Sequence, residues 1–294
     1  MKILVTGAAG QVGSELVERG KAMGLNMIAA SSAELDITCY ETVTEYVTKT
    51  SPDIIINAAA YTAVDKAEDE PELAFAVNRD GPANLAKACA VKHIPLLHIS
   101  TDYVFSGSST DPCREDDAAN PVGVYGSSKL AGEQAVASHL TQYIILRVAW
   151  VFGANGQNFV RTMLRLGGEN EELSVVADQH GCPTWAGDIA DTLLTIATRY
   201  REQGDLPWGS YHYMGAPATT WYGFAETIFE QAQGLGMLDK SPVVHPVTSE
   251  QYPTAAQRPK NSVLDCDKIQ RVFGINQPDW RAGLASVLNT WKQQ

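Results

Sequence analysis

Lys2-Ile3-Leu4-Val5-Thr6-Gly7-Ala8-Ala9-Gly10-Gln11-Val12-Gly13 decides how the rest of the chain is read. The first five of these residues form a short apolar run, and Gly7, Gly10 and Gly13 follow at the Gly-x-x-Gly-x-x-Gly spacing. An amphipathic helical pattern then continues to about Met23. Glycines between a strand and a helix allow a tight turn and close backbone approach, so that a pyrophosphate can rest on the helix N-terminus. Gly7, Gly10 and Gly13 are therefore candidate contacts of a dinucleotide.

Strands and helices alternate outward from this unit. Asn26 to Ala30 reads as a second strand and Asp53 to Ile56 as a third, which opens into Asn57-Ala58-Ala59-Ala60-Tyr61-Thr62. Small residues after a central strand leave room for a flat ligand. A helix is expected through Val77-Asn78 to about Val91, then a buried strand from Ile94 to Ile99 that delivers Thr101, then a fifth strand from Tyr143 to Arg147. This alternation predicts an α/β fold, a Rossmann-type doubly wound parallel sheet with right-handed crossovers. Residues 1–150 read as a dinucleotide-binding Rossmann domain. After Gly153 the alternation loosens: Asn158 to Leu166, Ala186 to Arg201, Trp221 to Gln233 and Trp280 to Lys292 are helical, Leu173 to Val176 and Ser210 to Met214 extended. Residues 151–294 are expected to form mainly a smaller C-terminal substrate-binding lobe, with some segments returning to the Rossmann sheet.

Ligands of such sheets sit beyond the carboxyl ends of the strands, where Thr101 emerges. Val124-Tyr125-Gly126-Ser127-Ser128-Lys129 follows a polar loop, and residues four apart on a helix share a face, so Tyr125 and Lys129 can face one pocket. An ammonium beside a phenol favours the phenolate and makes a proton donor; the same spacing also suits an ordinary surface pair. The second strand ends in Ser31-Ser32, neither the acid that would bond the ribose of NAD nor the arginine that would pair with the 2′-phosphate of NADP. Asp36-Ile37 either meets the adenine edge or caps the helix that starts near Tyr40. Trp150, after the fifth strand, is either the floor of a sugar site or a core residue. Gln257-Arg258-Pro259-Lys260-Asn261-Ser262 concentrates cations and amides that could hold a diphosphate, or that are simply solvated.

Composition bounds the rest. With 294 residues, 45% hydrophobic and 19% charged, the chain can bury a large core. A net charge of -12 argues against nucleic acid or an anionic membrane as a partner. No apolar run approaches the roughly 18 residues of a membrane span, and the start Met1-Lys2-Ile3 leads straight into a strand, so a cytoplasmic location is expected. Five scattered cysteines read as free thiols, and six histidines without ligand spacing argue against a catalytic metal. No Gly-x-Ser-x-Gly elbow supports hydrolase chemistry.

Taken together, Thr6 to Gly13, Asn57 to Thr62 and Tyr125-x-x-x-Lys129 resemble the extended short-chain dehydrogenase/reductase superfamily. Asn57 to Glu68, Ser100 to Phe105, Asp178 to Thr184 and Arg258 to Ser262 are similar to its nucleotide-sugar reductases, nearly end to end. The resemblance implies NADPH or NADH as cofactor and a dTDP-sugar as substrate: reduction of the C4 ketone of dTDP-4-dehydro-L-rhamnose to dTDP-L-rhamnose, for surface polysaccharide. It further implies that Tyr125, Lys129 and Thr101 are catalytic, Thr101 by stabilising the developing alkoxide. Gly10, Gln11, Val12, Asp36, Ile37, Ala60, Tyr61, Thr62 and Lys129 match cofactor contacts, and Asp102 and Trp150 match positions lining the sugar site. Some relatives are metal-bridged dimers through acids such as Glu15; Gly187-Asp188 and Trp280-Arg281 leave no acidic cluster evident, so a metal-free monomer or homodimer is expected. The alternatives are another nucleotide-sugar enzyme of the superfamily, such as an epimerase, or a non-catalytic regulatory subunit. A dehydratase commonly has Asp-Glu after the Thr, whereas Tyr103 follows Asp102 here.

Overall fold

A computed structural model describes residues 1–293. Strands β1 (Lys2–Thr6), β2 (Asn26–Ala30) and β3 (Ile54–Asn57) enclose helices α1 (Gln11–Ala22) and α2 (Tyr40–Thr50) in sequence. Short helices α3 (Val64–Ala67) and α4 (Pro71–Phe75) lead through a π-helical turn at Ala76–Asp80 into α5 (Gly81–Lys92) and β4 (Leu96–Thr101). Then come α6 (Val124–His139), β5 (Tyr143–Val148) and the two-residue β6 (Val151–Phe152). The second half supplies α7 (Phe159–Glu169), β7 (Glu172–Val176), β8 (His180–Gly181), β9 (Thr184–Trp185), α8 (Ala186–Gln203), β10 (Gly209–His212), β11 (Thr219–Thr220), α9 (Trp221–Gly234), β12 (Val243–Val247), α10 (Asp267–Phe273) and α11 (Trp280–Lys292).

The main sheet has six strands in the order β10-β5-β4-β3-β1-β2, all parallel. The chain steps from β1 to β2 on one side and returns to β3 on the other, so the switch point lies between β1 and β3, where α/β sheets bind ligands. Alternate residues of each strand face opposite layers. Ile3, Val5, Ile54, Ile56, Leu97, Ile144 and Leu146 join α1 and α8 residues such as Leu16, Ile189 and Leu193 in one core. Leu4, Ile55 and Leu96 face the other way, onto Val43 and Val47 of α2 and Leu85 of α5. Each such fully buried aliphatic side chain is worth about 1.5–3 kcal/mol. A third core, of Phe152, Val160, Phe224, Ile228, Trp280 and Leu284, holds the smaller lobe of α7, α9 and α11, over which β7 and β12 pair.

Two expected elements differ. The helix expected without a break from Val77 to Val91 is divided, because Pro82 has no N–H to continue the ladder and the backbone widens into the π turn just before it. The extended segment expected at Ser210 to Met214 ends at His212, and it is the sixth strand of the main sheet, beside β5. Between α6 and β5, Glu133 and Arg147 form a buried bidentate pair at 2.9 and 2.7 Å. Among the described residues, no helix is long and apolar enough to cross a membrane.

Candidate active site

Three adjacent strands are fastened side by side by one chain of side chains, running from the carboxyl ends of β1 and β3 to the middle of β4. Thr6 Oγ1 donates to Asn57 Oδ1 at 2.6 Å, and Asn57 Nδ2 lies 2.9 Å from His98 Nδ1. Because the amide nitrogen only donates, His98 Nδ1 is the acceptor and its proton sits on Nε2. Burial, together with the charge of Lys129, pushes the His98 pKa well below its ordinary value, consistent with a neutral ring.

Beside these strand ends is a cavity of about 540 Å³. Gly10, Gln11 and Val12 line one side of it, at the start of α1. Gly10 is the N-cap and supplies no side-chain cap, and its own N–H is spent on Gly7 O at 2.9 Å. The N–H groups of Gln11, Val12 and Gly13 have no intrahelical partner and form a ready anion cradle. The cradle depends on missing side chains: a Cβ on Gly13 would stand 2.1 Å from Gly7 O, and Gly7 itself has φ 67°. Residues 154–158 reach back over this helix start, through Asn155 to Ser14 Oγ at 2.9 Å and Asn158 to Gln11 Oε1 at 3.0 Å.

Ala60 and Thr62, after β3, line the next part of the cavity. Tyr61 does not: its backbone is clamped from both sides by the Asn78 amide at 2.8 and 3.0 Å, and its hydroxyl donates to Glu70 at 2.7 Å. Asn78 lies in the π turn and also reaches Ser128 on α6. Asp36 and Ile37 are also off the cavity wall. Asp36 Oδ1 accepts from Thr38 N and Oγ1, while Cys39 is the N-cap of α2, so the capping role expected for Asp36 goes to a local turn instead. Ile37 is packed in the core against Gly81.

Thr101, Asp102, Tyr125 and Lys129 line the deep end. Lys129 is buried, and its Nζ donates to Ile99 O at 2.8 Å. Burial lowers its pKa to about 8, against the pull of Glu133 one turn further along α6. Tyr125 departs from the sequence expectation of an easily ionised phenol: burial raises its pKa, outweighing a hydrogen bond with Thr101 that lowers it. The phenol is thus protonated throughout the neutral range. Thr101 Oγ1 donates to Asp102 Oδ1 at 3.0 Å and accepts from Tyr103 N at 3.2 Å. Asp102 is raised to about 6 by burial, and its Oδ2 is buried without a partner.

Trp150 and Arg258 close the outer end. Trp150 holds a left-handed backbone at φ 48° and stacks on Trp221 with ring centroids 3.7 Å apart. A non-glycine residue in that region is strained and persists only where its surroundings enforce it. Arg258 is not free for an anion alone: Nη2 donates to Asp65 at 2.7 Å, while Nε is buried without a partner. Trp221 and Gln157 also line the cavity and were not among the expected residues. Trp221 follows Thr220, whose side chain caps α9, so a bulky apolar side chain in a helix's first turn was the available signal. Among the described residues, no group of three or more His, Cys, Asp or Glu could hold a metal ion. Glu15 instead accepts from Arg19 at 2.8 Å.

The chain matches the family model described as the RmlD substrate binding domain over residues 1–293. It is 45% identical over 282 residues to a dTDP-4-dehydrorhamnose reductase of Sinorhizobium fredii, covering 95% of this chain and 94% of the relative. Among solved structures, a dTDP-4-dehydrorhamnose reductase of Clostridium acetobutylicum superposes with a TM-score of 0.92 at 37% identity, covering 99% of this chain and 100% of the other. A dTDP-4-dehydrorhamnose reductase of Bacillus anthracis in complex with NADP gives a TM-score of 0.89, also at 37% identity, covering 98% of this chain and 99% of the other.

Proposed function

The chain belongs to the RmlD substrate binding domain family, and from that premise we propose that it reduces the C4 ketone of dTDP-4-dehydro-L-rhamnose to dTDP-L-rhamnose with NAD(P)H. One observation carries the reading: a single cavity joins an uncapped helix N-terminus after β1 to a protonated phenol and a buried ammonium beside the end of β4. This is the arrangement needed to deliver a hydride and a proton to the two ends of one carbonyl.

The reduced nicotinamide supplies the hydride for the keto carbon. Everything else falls to the protein. Gly7, Gly10, Gln11, Val12 and Gly13 hold the pyrophosphate, and the segments containing Asp36-Ile37 and Ala60-Tyr61-Thr62 flank the adenosine side. Lys129 holds the nicotinamide ribose and keeps positive charge near Tyr125. Tyr125 gives its proton to the carbonyl oxygen as charge develops there. Thr101 assists by turning its hydroxyl from Asp102 towards that oxygen, while Asp102 accepts a sugar hydroxyl. Trp150 offers an apolar platform to the sugar, and Arg258 binds the diphosphate through the edge that Asp65 leaves open. Residues 1–150 thus hold the cofactor and also supply Thr101, Asp102, Tyr125 and Trp150 to the sugar, while residues 151–294 add Trp221 and Arg258 around the sugar nucleotide. The enzyme works in the cytoplasm, as a monomer or homodimer, in supplying rhamnose for surface polysaccharide.

The test is nicotinamide absorbance during incubation with NADPH or NADH and enzymatically generated dTDP-4-dehydrorhamnose. Oxidation that requires the sugar is expected; none with either cofactor would overturn the proposal. The pH profile gives a second check. Lys129 is charged below about 8 and neutral above it, so kcat/KM is expected to fall as pH rises through that value. Asp102 is charged above about 6, so an acid limb is expected as pH drops through it. The buried His212 does not compete for this limb, since burial pushes it down to about 3. Asp102→Asn should remove the acid limb and leave the alkaline one; an acid limb that persists unchanged would rule Asp102 out as its source.

A further inference from the structure

Three buried charged side chains follow one another from the cavity into the sheet. Lys129 lines the cavity, Glu133 lies one turn further along α6, and Arg147 on β5 grips both oxygens of Glu133, at 2.9 and 2.7 Å. Glu133 and Arg147 do not line the cavity, so neither is a ligand-binding group of the site described above. The third guanidinium nitrogen of Arg147, Nη1, lies 3.3 Å from His212 Nε2 on β10, and His212 Nδ1 lies 3.1 Å from Cys113 O. Because a carbonyl only accepts, Nδ1 carries the proton and Nε2 accepts from Arg147. Every nitrogen of the guanidinium is thus engaged, and a carboxylate held at both oxygens is fixed in place.

A buried ion pair adds little to stability that apolar side chains of the same volume would not, so its presence calls for another reason. Lys129 supplies one. An opposite charge one helical turn away favours the ammonium that burial disfavours, and Glu133 is the one acid among the described residues whose charge acts on Lys129 in this way. The other titratable groups around α6 do not replace it. Tyr125 is protonated and His98 on β4 is neutral, while Asp102 and Tyr103 are turned to Thr101 and Arg258. On the short helices and the π turn packed against α6, Asp65 is held by Arg258, Glu68 accepts from Val124 N, and Arg79 pairs with Asp80. Lys66, Glu72, Lys87, Lys92 and, at the far end of α6, His139 are exposed.

We propose that Glu133 is a positioning residue for the reduction: held by Arg147, and through it by His212 of β10, its carboxylate keeps the Lys129 ammonium charged at the nicotinamide ribose. The inference rests on the reductase reading of Tyr125 and Lys129 above and adds the group that maintains the lysine's charge. Loss of Glu133 therefore lowers the pH at which Lys129 gives up its proton.

The experiment is carbon NMR of the full chain with isotope-labelled lysine, read against pH beside the pH profile of kcat/KM. The Lys129 resonance, identified by its absence in Lys129→Met, is expected to titrate at about 8 in the unaltered protein. Glu133→Gln keeps the shape of the side chain and removes its charge. It should weaken proton binding by Lys129 at least about tenfold, so that the titration and the alkaline limb both fall by about one pH unit. Glu133→Gln/Arg147→Met removes both charges and leaves no buried ion unmatched, which keeps the test open if the single variant does not fold; it too should titrate below the unaltered protein. A merely structural role would lower Tm and leave the titration where it was. A Lys129 that titrates at its original pH in either variant, or an alkaline limb that does not follow it, would overturn the proposal. If the unaltered protein oxidises neither nucleotide in the presence of the sugar, the reductase reading fails, and the NMR titration still decides whether Glu133 holds the charge.

Discussion

Tyr125→Phe is expected to cut turnover roughly 100- to 10,000-fold while leaving NAD(P)H binding within a few-fold of the original, the span associated with losing a positioned general acid. The substitution removes one oxygen. The ring remains, and with it the edge-on contact with Tyr103 at 5.4 Å, so the helix that carries Lys129 has no reason to move. Lys129 keeps its bond to Ile99 O, and Thr101 and Asp102 keep theirs. Stopped-flow measurement of hydride transfer alongside cofactor titration separates the two effects. A variant with near-normal turnover would show that another group delivers the proton. A variant that loses cofactor binding as well would mean that the phenol's main task is structural.

Gly13→Ala should be the most damaging single methyl group that can be added near the cofactor. The new Cβ would lie 2.1 Å from Gly7 O and 2.8 Å from Ala8 Cα, both backbone atoms that cannot swing aside. Either the glycine loop shifts, dismantling the cradle of N–H groups, or α1 backs away from the sheet. We expect at least a tenfold loss of NAD(P)H affinity and an overpacking cost of about 1–3 kcal/mol, read as a lowered Tm. Gly10→Ala, whose Cβ would meet Gly7 O at 3.2 Å, should be milder, and Gly168→Ala, with nothing within 4 Å, should be neutral or slightly stabilising. Equal behaviour of all three would refute the claim that close approach at Gly13 shapes the site.

Much of the fold was legible because strands such as Ile54–Asn57 open on an unbroken apolar run, here three isoleucines, as a sheet covered on both faces requires, and because glycines punctuate the first turn. Tyr125 and Lys129 were legible from a spacing that a helix must convert into a shared face. What the spacing did not determine was dielectric. The lysine was expected to draw the phenol towards ionisation, yet both groups are buried deeply enough that desolvation dominates each. Nor did it reveal partners distant in sequence: Trp221 against Trp150, Asp65 against Arg258, and Asn78 against Tyr61 are pairings that only the fold creates. Glu34 shows the same lesson at short range, since a turn of three residues returned an acid to a strand end that reads as serine.

The place of β10 bears on how the protein is made. Its backbone pairs with β5 along Gly209 to His212, and α8 covers one face of the same sheet, although both follow the cofactor-binding segments by dozens of residues. A chain still on the ribosome with only its first half emerged would present β5 as an open edge above a bare aliphatic surface, a template for pairing with other nascent chains. The two lobes are therefore not successive products of synthesis. The sheet begun by the first half of the chain is finished by a strand of the second half, and it reaches its final form only late in translation.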